Sequence, residues 1–246
     1  MKLTRVLILM TICAICANQI KAQTTATNLK LWWKLNEPVG AKTITDYAPD
    51  AKQLGISPKD ATINSGIEDN EKGNVASFNK IANAIVLRNP TLNLVIGAID
   101  RTYSFWAKKE VAQGAFDQVA LFGQLGLPGG GGGLLIITPA NGKTITILCG
   151  SESKINFTNP AENTTNENVW HHYVITSTDG TTGGLKCYVD NVEWTANVKN
   201  SVPLQTTNVI RIGHSYNGRI TDFRLYNKSL TLDEIKAVYY EGQSQK

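Results

Sequence analysis

Three aromatic residues stand in polar surroundings where their rings could contact a ligand. Trp32 alternates with lysines in a strand-like run, Trp194 is flanked by polar residues, and Tyr216 follows His214 in a loop. An aromatic plane matches the apolar face of a sugar ring, and loops concentrate functional residues. The candidate ligand-binding residues are therefore Trp32, Trp194, Tyr216 and His214. The alternative for each aromatic ring is a buried position that closes the protein core.

The acidic residues do not form the array that a glycan hydrolase needs. Such enzymes place two carboxylates on either side of one bond. The acidic clusters at 68–71 and 233–234 instead fit a solvated loop and a helix start. His171 and His172 are adjacent, so on a strand they would face opposite sides as framework residues. A base at His214 keeps a glycan-degrading enzyme open as the alternative to a non-catalytic protein.

The first 22 residues predict a secretory signal peptide. They begin with Lys2 and Arg5, continue with an apolar run over 6–17 and end in a cleavage site before Gln23. A bilayer span needs about 20 apolar residues, so this run is too short to be one. The sequence therefore predicts a secreted, periplasmic or extracellular protein without a membrane span.

The net charge falls almost to neutrality once this leader is removed. The chain carries 24 basic and 20 acidic residues, and Lys2, Arg5 and Lys21 belong to the leader. The rest of the chain has almost no excess of lysine and arginine with which to attract phosphates. Nucleic acid is therefore not an expected partner.

Cys149 and Cys187 remain after removal of the leader, and both lie in strand-like runs. An oxidising compartment would favour a disulfide between them. A chain of this length can also bury a core without a covalent link. A disulfide and a pair of reduced core thiols are both compatible with the sequence.

The chain after residue 28 consists of short β-branched and aromatic runs separated by turn residues, which is typical of a β-sandwich. Its size suits one domain, placed at 29–242 between a polar segment at 23–28 and a polar tail at 243–246. The predicted strands are 29–35, 75–78, 84–87, 102–108, 119–123, 134–138, 144–149, 170–176, 185–189, 209–212 and 219–226.

Local patterns also predict faces and turns. The first strand alternates so that its three leucines and Trp33 point inward while Trp32 points outward. Asn141-Gly142 predicts a tight hairpin turn because both residues tolerate positive φ, and Asp190-Asn191 predicts a second one.

A short helix is predicted near the C-terminus. Thr231 and Glu234 form a capping box at its start, and Leu230 and Ile235 occupy the two positions of a hydrophobic staple. Gly242 is interpreted as its C-terminal stop.

Five motifs follow one another along the chain. They are Leu31-Trp32-Trp33-Lys34-Leu35-Asn36-Glu37, Ser104-Phe105-Trp106-Ala107-Lys108, Val169-Trp170-His171-His172-Tyr173-Val174, Leu185-Lys186-Cys187-Tyr188-Val189-Asp190-Asn191 and Asn217-Gly218-Arg219-Ile220-Thr221-Asp222-Phe223-Arg224-Leu225-Tyr226-Asn227. In order and spacing they resemble the motifs of the bacterial laminin-G-like jelly rolls over residues 29–242. Departures occur at Asn191, where glycine is usual, and at Thr221, where an acidic residue is common.

The resemblance implies an all-β fold, a two-sheet antiparallel jelly-roll sandwich of the concanavalin A-like lectin/glucanase superfamily with one short C-terminal helix. It implies an extracellular role on glycans or proteins but no particular activity. It also implies calcium as a candidate structural ion, with the carboxylates of Asp46 and Asp222 as ligands suited to a hard cation. The alternative is that both aspartates serve turns.

These observations predict a secreted non-catalytic module that binds carbohydrate through aromatic side chains. A secreted lyase or glycoside hydrolase on the same fold is the first alternative. A protein-binding adhesion or structural module is the second. The expected partner is accordingly a glycan or an extracellular protein.

Overall fold

The computed structural model describes residues 27–38, 41, 43–49, 64–79, 85–88, 100–110, 116–122, 134–139, 142–149, 153–160, 168–181, 183–197, 209–213 and 216–243. The predicted leader, His214 and the tail at 244–246 lie outside the described residues. The elements are β1 (Leu29–Trp33), β2 (Asn64–Asp69), β3 (Gly73–Asn79), β4 (Ile85–Arg88), β5 (Arg101–Lys109), β6 (Phe116–Phe122), β7 (Leu134–Pro139), β8 (Thr144–Cys149), β9 (Ser153–Thr158), β10 (Trp170–Ser177), β11 (Leu185–Val189), β12 (Val192–Asn197), β13 (Val209–Ile212), β14 (Asn217–Tyr226) and α1 (Leu232–Gln243).

The described strands form two antiparallel layers. The first layer runs β2-β3-β14-β5-β10-β11 and the second runs β9-β8-β7-β6-β13-β4. Strand β12 joins them, because its first half pairs with β11 and its second half with β9. Strand β14 pairs with β5 along one edge, while β3 and β1 share the other edge. The fold is therefore the predicted antiparallel jelly-roll sandwich with one short C-terminal helix.

The space between the layers is filled by apolar side chains from both of them. Period-2 alternation places every second residue of a strand there, and β1 illustrates it with buried Leu31 and Trp33 and partly exposed Trp32. The predicted alternation of inward and outward side chains in β1 is confirmed from Leu31 onward. Leu29 is also buried, but it packs in a separate cluster on the outer face because the register with β14 shifts between Leu29 and Leu31.

Helix α1 covers the outer face of the first layer. Ile235 and Val238 of the helix pack with Val174 and Tyr226 of the sheet, and Trp32 packs at the margin of this cluster. Burial of such a helix face is the main source of helical stability in proteins. The helix is thus part of the domain, and its position decides which outer-face residues reach solvent.

The capping box and staple of α1 are confirmed. The Thr231 amide donates to Glu234 Oε2 at 2.8 Å, and the Glu234 amide donates to Thr231 Oγ1 at 3.4 Å. Leu230 and Ile235 lie in the same buried cluster. Gly242 as the stop is wrong, because α1 continues through Gln243. A Cβ at Gly242 would lie 2.2 Å from the Trp106 Nε1 atom, so the glycine permits close packing on the sheet.

Both predicted hairpins form. Strands β7 and β8 pair across the turn that contains Gly142, whose φ is +60°. Asp190 and Asn191 have φ values of +48° and +68° and join β11 to β12. Asparagine tolerates this left-handed conformation, so the turn forms although Asn191 stands where glycine is usual in the motif. Cys187 is a free buried thiol, which is the reduced alternative for that residue.

No helix among the described residues is long and apolar enough to cross a membrane.

Candidate functional site

The candidate site is built where β1 ends beside a bulge in β14. The Lys34 carbonyl accepts hydrogen bonds from Thr221 Oγ1 at 2.7 Å and from the Asp222 amide at 3.2 Å. The pairing of β14 with β5 is interrupted between Thr221 and Arg224, where Asp222 adopts a φ of +53°. Such a bulge redirects a side chain relative to a regular strand. Here the bulge carries Asp222, whose carboxylate contacts outer-face residues.

Asp222 is a buried carboxylate shared by an indole and a guanidinium. Its Oδ1 accepts from Trp32 Nε1 at 2.7 Å and from Arg224 Nε at 2.8 Å, and its Oδ2 accepts from Arg224 Nη2 at 3.0 Å. Arg224 also donates to Glu241 of α1 at 2.6 Å. Burial alone would lower the pKa of Arg224, but the adjacent Asp222 carboxylate outweighs it and raises that pKa.

Trp32 is held on several sides by these partners. The Arg224 guanidinium lies 4.4 Å from the Trp32 ring centroid, within the range of a cation–π contact. The Tyr47 ring meets Trp32 edge-on, with 6.1 Å between the centroids. Trp32 is partly exposed, and Tyr47 is 42% exposed. Two neighbouring aromatic rings therefore face solvent at the margin of α1.

Lys34 adds a cation to this pair of rings. Its ammonium nitrogen lies 4.9 Å from the Trp32 centroid and 4.5 Å from the Tyr47 centroid. We call Trp32, Lys34 and Tyr47 the aromatic surface. Within the part of the chain that the structure describes, no ion pair or hydrogen bond is formed by the Lys34 ammonium.

Asp46 holds the Tyr47 segment against β1. Its Oδ1 accepts from the Trp32 amide at 2.9 Å and from the Ala48 amide at 3.0 Å, the second being an Asx-type turn. The Tyr47 amide donates to the Trp32 carbonyl at 2.8 Å. Burial raises the pKa of Asp46 above its ordinary value, although the two amide hydrogen bonds oppose this.

The contacts of Asp222 argue against its role in the calcium site that the family resemblance implies, whereas those of Asp46 leave one oxygen unpartnered among the described residues. The Asp222 carboxylate is occupied by a guanidinium and an indole, and Asp46 Oδ1 is occupied by two amides. A hard cation needs six to eight oxygen ligands, typically including carboxylates free to coordinate it. Across the described ranges no group of three or more His, Cys, Asp or Glu side chains could hold a metal ion. Asp222 therefore has a structural role, and calcium at Asp46 stays a prediction.

The other sequence-predicted ligand residues are not brought together with Trp32. Trp194 is 3% exposed and belongs to the core between the layers. Tyr216 is 1% exposed and packs in the same core, against Phe78 at 6.4 Å between centroids. A ring buried in this way has no face free for a sugar, so the alternative reading of both as core residues fits the structure. His214 lies outside the described residues.

A second charged cluster was not anticipated from the sequence. Asp69 was interpreted as part of a solvated loop, yet it is a buried residue at the end of β2. Its Oδ1 accepts from Trp170 Nε1 at 2.9 Å and from the Glu71 amide at 3.0 Å. Its Oδ2 pairs with Lys108 at 3.2 Å and Arg219 at 2.8 Å. We call Asp69, Lys108, Trp170 and Arg219 the closed cluster.

The closed cluster keeps Asp69 ionised. Burial of Asp69 acts to raise its pKa, but the hydrogen bonds from Trp170, the Glu71 amide and Lys108 prevail and lower that pKa to about 2. No sequence signal marked Asp69, because polar residues dominate β2. Its partners come from β5, β10 and β14, so spacing alone could not identify them.

The two adjacent histidines face opposite sides, as predicted. His172 lies on the outer face, where its Nε2 is 2.8 Å from Ser104 Oγ and its ring centroid is 5.1 Å from that of Trp106. Burial lowers the pKa of His172 to about 3, with Arg224 and Lys72 adding to the effect. His171 pairs with Asp190 at 2.6 Å. A fully buried, neutral His172 is a framework residue and cannot reach an external substrate.

Comparisons with known proteins identify the fold and the family. No curated protein matches the chain in sequence. Among solved structures, it is similar to the ligand binding domain of botulinum neurotoxin serotype D in complex with N-acetylneuraminic acid. The TM-score is 0.60 at 14% identity, covering 90% of this chain and 52% of that one. The binding domain of serotype G has a TM-score of 0.59 at 15% identity, covering 87% and 51%. This chain therefore spans about half the length of these toxin domains.

Domain 4 of AbnA is similar over nearly its full length. That domain belongs to a GH43 extracellular arabinanase from Geobacillus stearothermophilus and was solved with arabinotriose. The TM-score is 0.60 at 16% identity, covering 86% of this chain and 98% of that one. At these identities the likeness shows the fold. The family described as the concanavalin A-like lectin/glucanases superfamily matches residues 79–236, well over half of the chain, and the protein belongs to that superfamily.

Proposed function

We propose that this protein is a secreted, non-catalytic module that binds glycans at the aromatic surface. The observation that carries the proposal is the pair of solvent-facing rings, with Tyr47 42% exposed beside the partly exposed Trp32. Aromatic side chains combine a large apolar area with a polar tip, which suits a ligand that is apolar on its ring face and polar at its rim.

Both rings are held in place before a ligand arrives. Trp32 is fixed by its hydrogen bond to Asp222 and by the Arg224 guanidinium. The backbone of Tyr47 is fixed by its bond to Trp32 and by the turn at Asp46, and its ring contacts Trp32 and Lys34. Ordering a side chain on binding costs on the order of 1 kcal/mol, so rings already fixed in the free protein bind with a smaller entropic loss.

The charged groups beside these rings are committed to structure, which favours binding over catalysis. A general acid or nucleophile must have a carboxylate oxygen free for the reacting bond. Asp222 and Glu241 are engaged with Arg224, and Asp46 is engaged with backbone amides. The enzyme alternative therefore needs His214 or an acidic centre outside the described residues, and the experiment below tests it directly.

The solved neighbours support a sugar ligand on this fold. The serotype D toxin domain was solved with N-acetylneuraminic acid, and the arabinanase domain with arabinotriose. These ligands belong to those proteins. For this chain they favour a glycan over a protein as the first partner to be tested.

The proposal is tested by affinity electrophoresis of the purified secreted chain in gels that contain a panel of polysaccharides. We expect retardation in at least one gel, and loss of that retardation in Tyr47→Ala. The matched control is Tyr240→Ala, since Tyr240 is an exposed tyrosine (64%) on the outer side of α1. Both variants should keep the melting temperature of the parent, because neither removed ring is buried.

The outcomes separate the candidate functions. Retardation that depends on Tyr47 and not on Tyr240, without release of sugar, supports the glycan-binding module. Release of unsaturated or reducing ends during incubation supports a glycan-degrading enzyme instead. Absence of both, or equal loss of binding in the two variants, rejects the aromatic surface as a glycan site.

Export is part of the proposal and is tested separately. The leader predicted at residues 1–22 should direct the chain out of the cytoplasm, with the mature chain beginning at Gln23. N-terminal sequencing of the exported protein checks this. A product that stays in the cytoplasm and begins at Met1 would contradict it.

A further inference from the structure

We infer that the aromatic surface selects glycans that carry a negative charge, with the Lys34 ammonium as the group that recognises it. This inference rests on the proposed function and specifies its ligand class. The ligand is a sugar ring bearing a carboxylate or a sulfate, stacked on Tyr47 beside Trp32, with its anionic substituent at Lys34.

The first argument is the pairing of the charged groups around the two rings. Arg224 also lies over the Trp32 ring, and Asp222 and Glu241 both pair with it at 2.6 to 3.0 Å. Asp46 is engaged with the backbone amides of Trp32 and Ala48. The Lys34 ammonium is the cation of the site for which the described residues provide no carboxylate partner. An anionic ligand gives this ammonium the charged partner that the described residues do not.

The second argument is the position of the ammonium. Lys34 Nζ lies within 5 Å of the centroids of both Trp32 and Tyr47. Rings stack at van der Waals distance, about 3.5 to 4 Å. A sugar packed on the part of Tyr47 that Lys34 leaves open therefore has the Lys34 ammonium as a neighbour. Lysine is a compact point charge that favours an anion without demanding a planar, bidentate geometry, so carboxylate and sulfate are both acceptable.

The third argument is the backbone that holds Lys34. Leu35, the next residue, is fully buried with a φ of +59°, and Asp222, which donates its amide to Lys34, has a φ of +53°. A leucine in the left-handed region costs on the order of 1 kcal/mol. Strained positions of this kind cluster at ligand sites, where the surrounding structure holds them. Both positions hold the backbone of Lys34, whose ammonium lies over the two rings.

The test uses two pairs of polymers that differ in charge and little else. One pair is polygalacturonate and its methyl-esterified form, and the other is dextran sulfate and dextran. Affinity electrophoresis of the full secreted chain gives a dissociation constant for each polymer. We expect about fivefold or tighter binding to the charged member of at least one pair, the size of effect that a partly exposed charge-assisted contact produces. The polymer pair that shows it distinguishes a carboxylate from a sulfate ligand.

Lys34→Gln is the decisive variant. It should reduce the preference for the charged polymer to less than about twofold. Lys236→Gln is the matched control, because Lys236 is an exposed lysine of α1 and its substitution removes the same charge as Lys34→Gln. Raising the salt concentration should weaken the preference in the parent and the Lys236 variant only.

The results distinguish failure of this inference from failure of the proposed function. Equal binding of charged and neutral polymers that still depends on Tyr47 overturns the role of Lys34 and leaves the glycan site standing. A charge preference that survives Lys34→Gln, or that is lost equally in Lys236→Gln, also overturns it. If none of the polymers and no other glycan in the panel retards the protein, both the role of Lys34 and the proposed function are overturned.

Discussion

The outer face of the first layer carries the same arrangement twice, once closed and once open. In the closed cluster, Trp170 donates its indole N–H to Asp69, which also binds two cations. At the aromatic surface, Trp32 donates its indole N–H to Asp222, which binds Arg224. The hydrogen bonds are 2.9 and 2.7 Å long, so the two pairs are chemically alike.

What differs is the exposure of the rings and the charge left over. Trp170 is 6% exposed, and both cations of its cluster bind Asp69. Trp32 is partly exposed beside Tyr47 and the Lys34 ammonium, which has no carboxylate partner among the described residues. In both regions the hydrogen bond between indole and carboxylate fixes the side chain. The surrounding residues decide whether the pair only stabilises the fold or also presents a surface to a ligand.

The largest expected effect is on the closed cluster. Asp69→Asn removes the anion that Lys108 and Arg219 share, and we expect a loss of about 3 kcal/mol in the free energy of unfolding, as for a broken buried ion pair. Urea denaturation measures it. Glu71→Gln is the control, because Glu71 also approaches Lys108 but is exposed, and it should change stability by less than about 0.5 kcal/mol. Equal effects of the two substitutions would contradict a closed role for Asp69.

The pH dependence of stability sharpens the same comparison. The pKa of Asp69 is about 2 in the folded protein against an ordinary value of 3.8. The stabilisation is therefore present above pH 4 and is lost as the pH falls from about 4 to about 2, an effect of about 2 kcal/mol. Between pH 4 and pH 2, the free energy of unfolding taken from denaturation curves should depend more steeply on pH in the parent than in Asp69→Asn. Identical slopes would show that Asp69 titrates normally.

Gly242 links the two regions, and its substitution tests how tightly α1 closes over them. A Cβ there would lie 2.2 Å from Trp106 Nε1 and 2.8 Å from Asp222 Oδ2, and the Gly242 carbonyl accepts from Lys72 Nζ at 2.7 Å. Alanine is favoured over glycine by about 1 kcal/mol inside a helix. We nevertheless expect Gly242→Ala to lower stability by roughly 1 to 3 kcal/mol, because overpacking outweighs propensity. A stabilised variant in thermal melts would refute the close contact.

The smallest effects come from the two indoles themselves. Trp32→Phe and Trp170→Phe each remove one indole N–H donor to a carboxylate, which costs about 1 to 2 kcal/mol of stability. Only Trp32→Phe should weaken glycan retardation, by about two- to threefold, since a phenyl ring in place of the indole keeps part of the stacking area. Melting temperatures and affinity electrophoresis on the pair give both readouts. Weaker binding in Trp170→Phe would remove the distinction between the closed and open arrangements.

Much of the fold was predictable because its signals are local. The hairpins at Gly142 and at Asp190-Asn191, the capping box at Thr231 and the opposite faces of the two adjacent histidines all follow from neighbouring residues. Strands β2 and β9 were missed because polar residues dominate them. The alternation of buried Ile155 and Phe157 was present in β9 but too short to stand out from a loop.

The candidate site was predictable only in part. Trp32 stood out because alternation placed it opposite the core side of β1, and that placement is a short-range property. Trp194 and Tyr216 carried a similar signal, yet the structure buries both in the core. Polar neighbours in sequence do not reveal which face of a strand meets the opposite layer, because the layers come from segments far apart in the chain.

By itself, the sequence determined the strand periodicity, the turns, the helix start and the superfamily motifs, since these depend on the conformational preferences of adjacent residues. Tertiary structure alone decided the partners of Asp69 and Asp222, the close contact at Gly242 and the pairing of Lys34 with two rings. The Trp32–Asp222 bond joins residues 190 positions apart. Such contacts exist only after β1 pairs with β14, and local preferences carry no information about them.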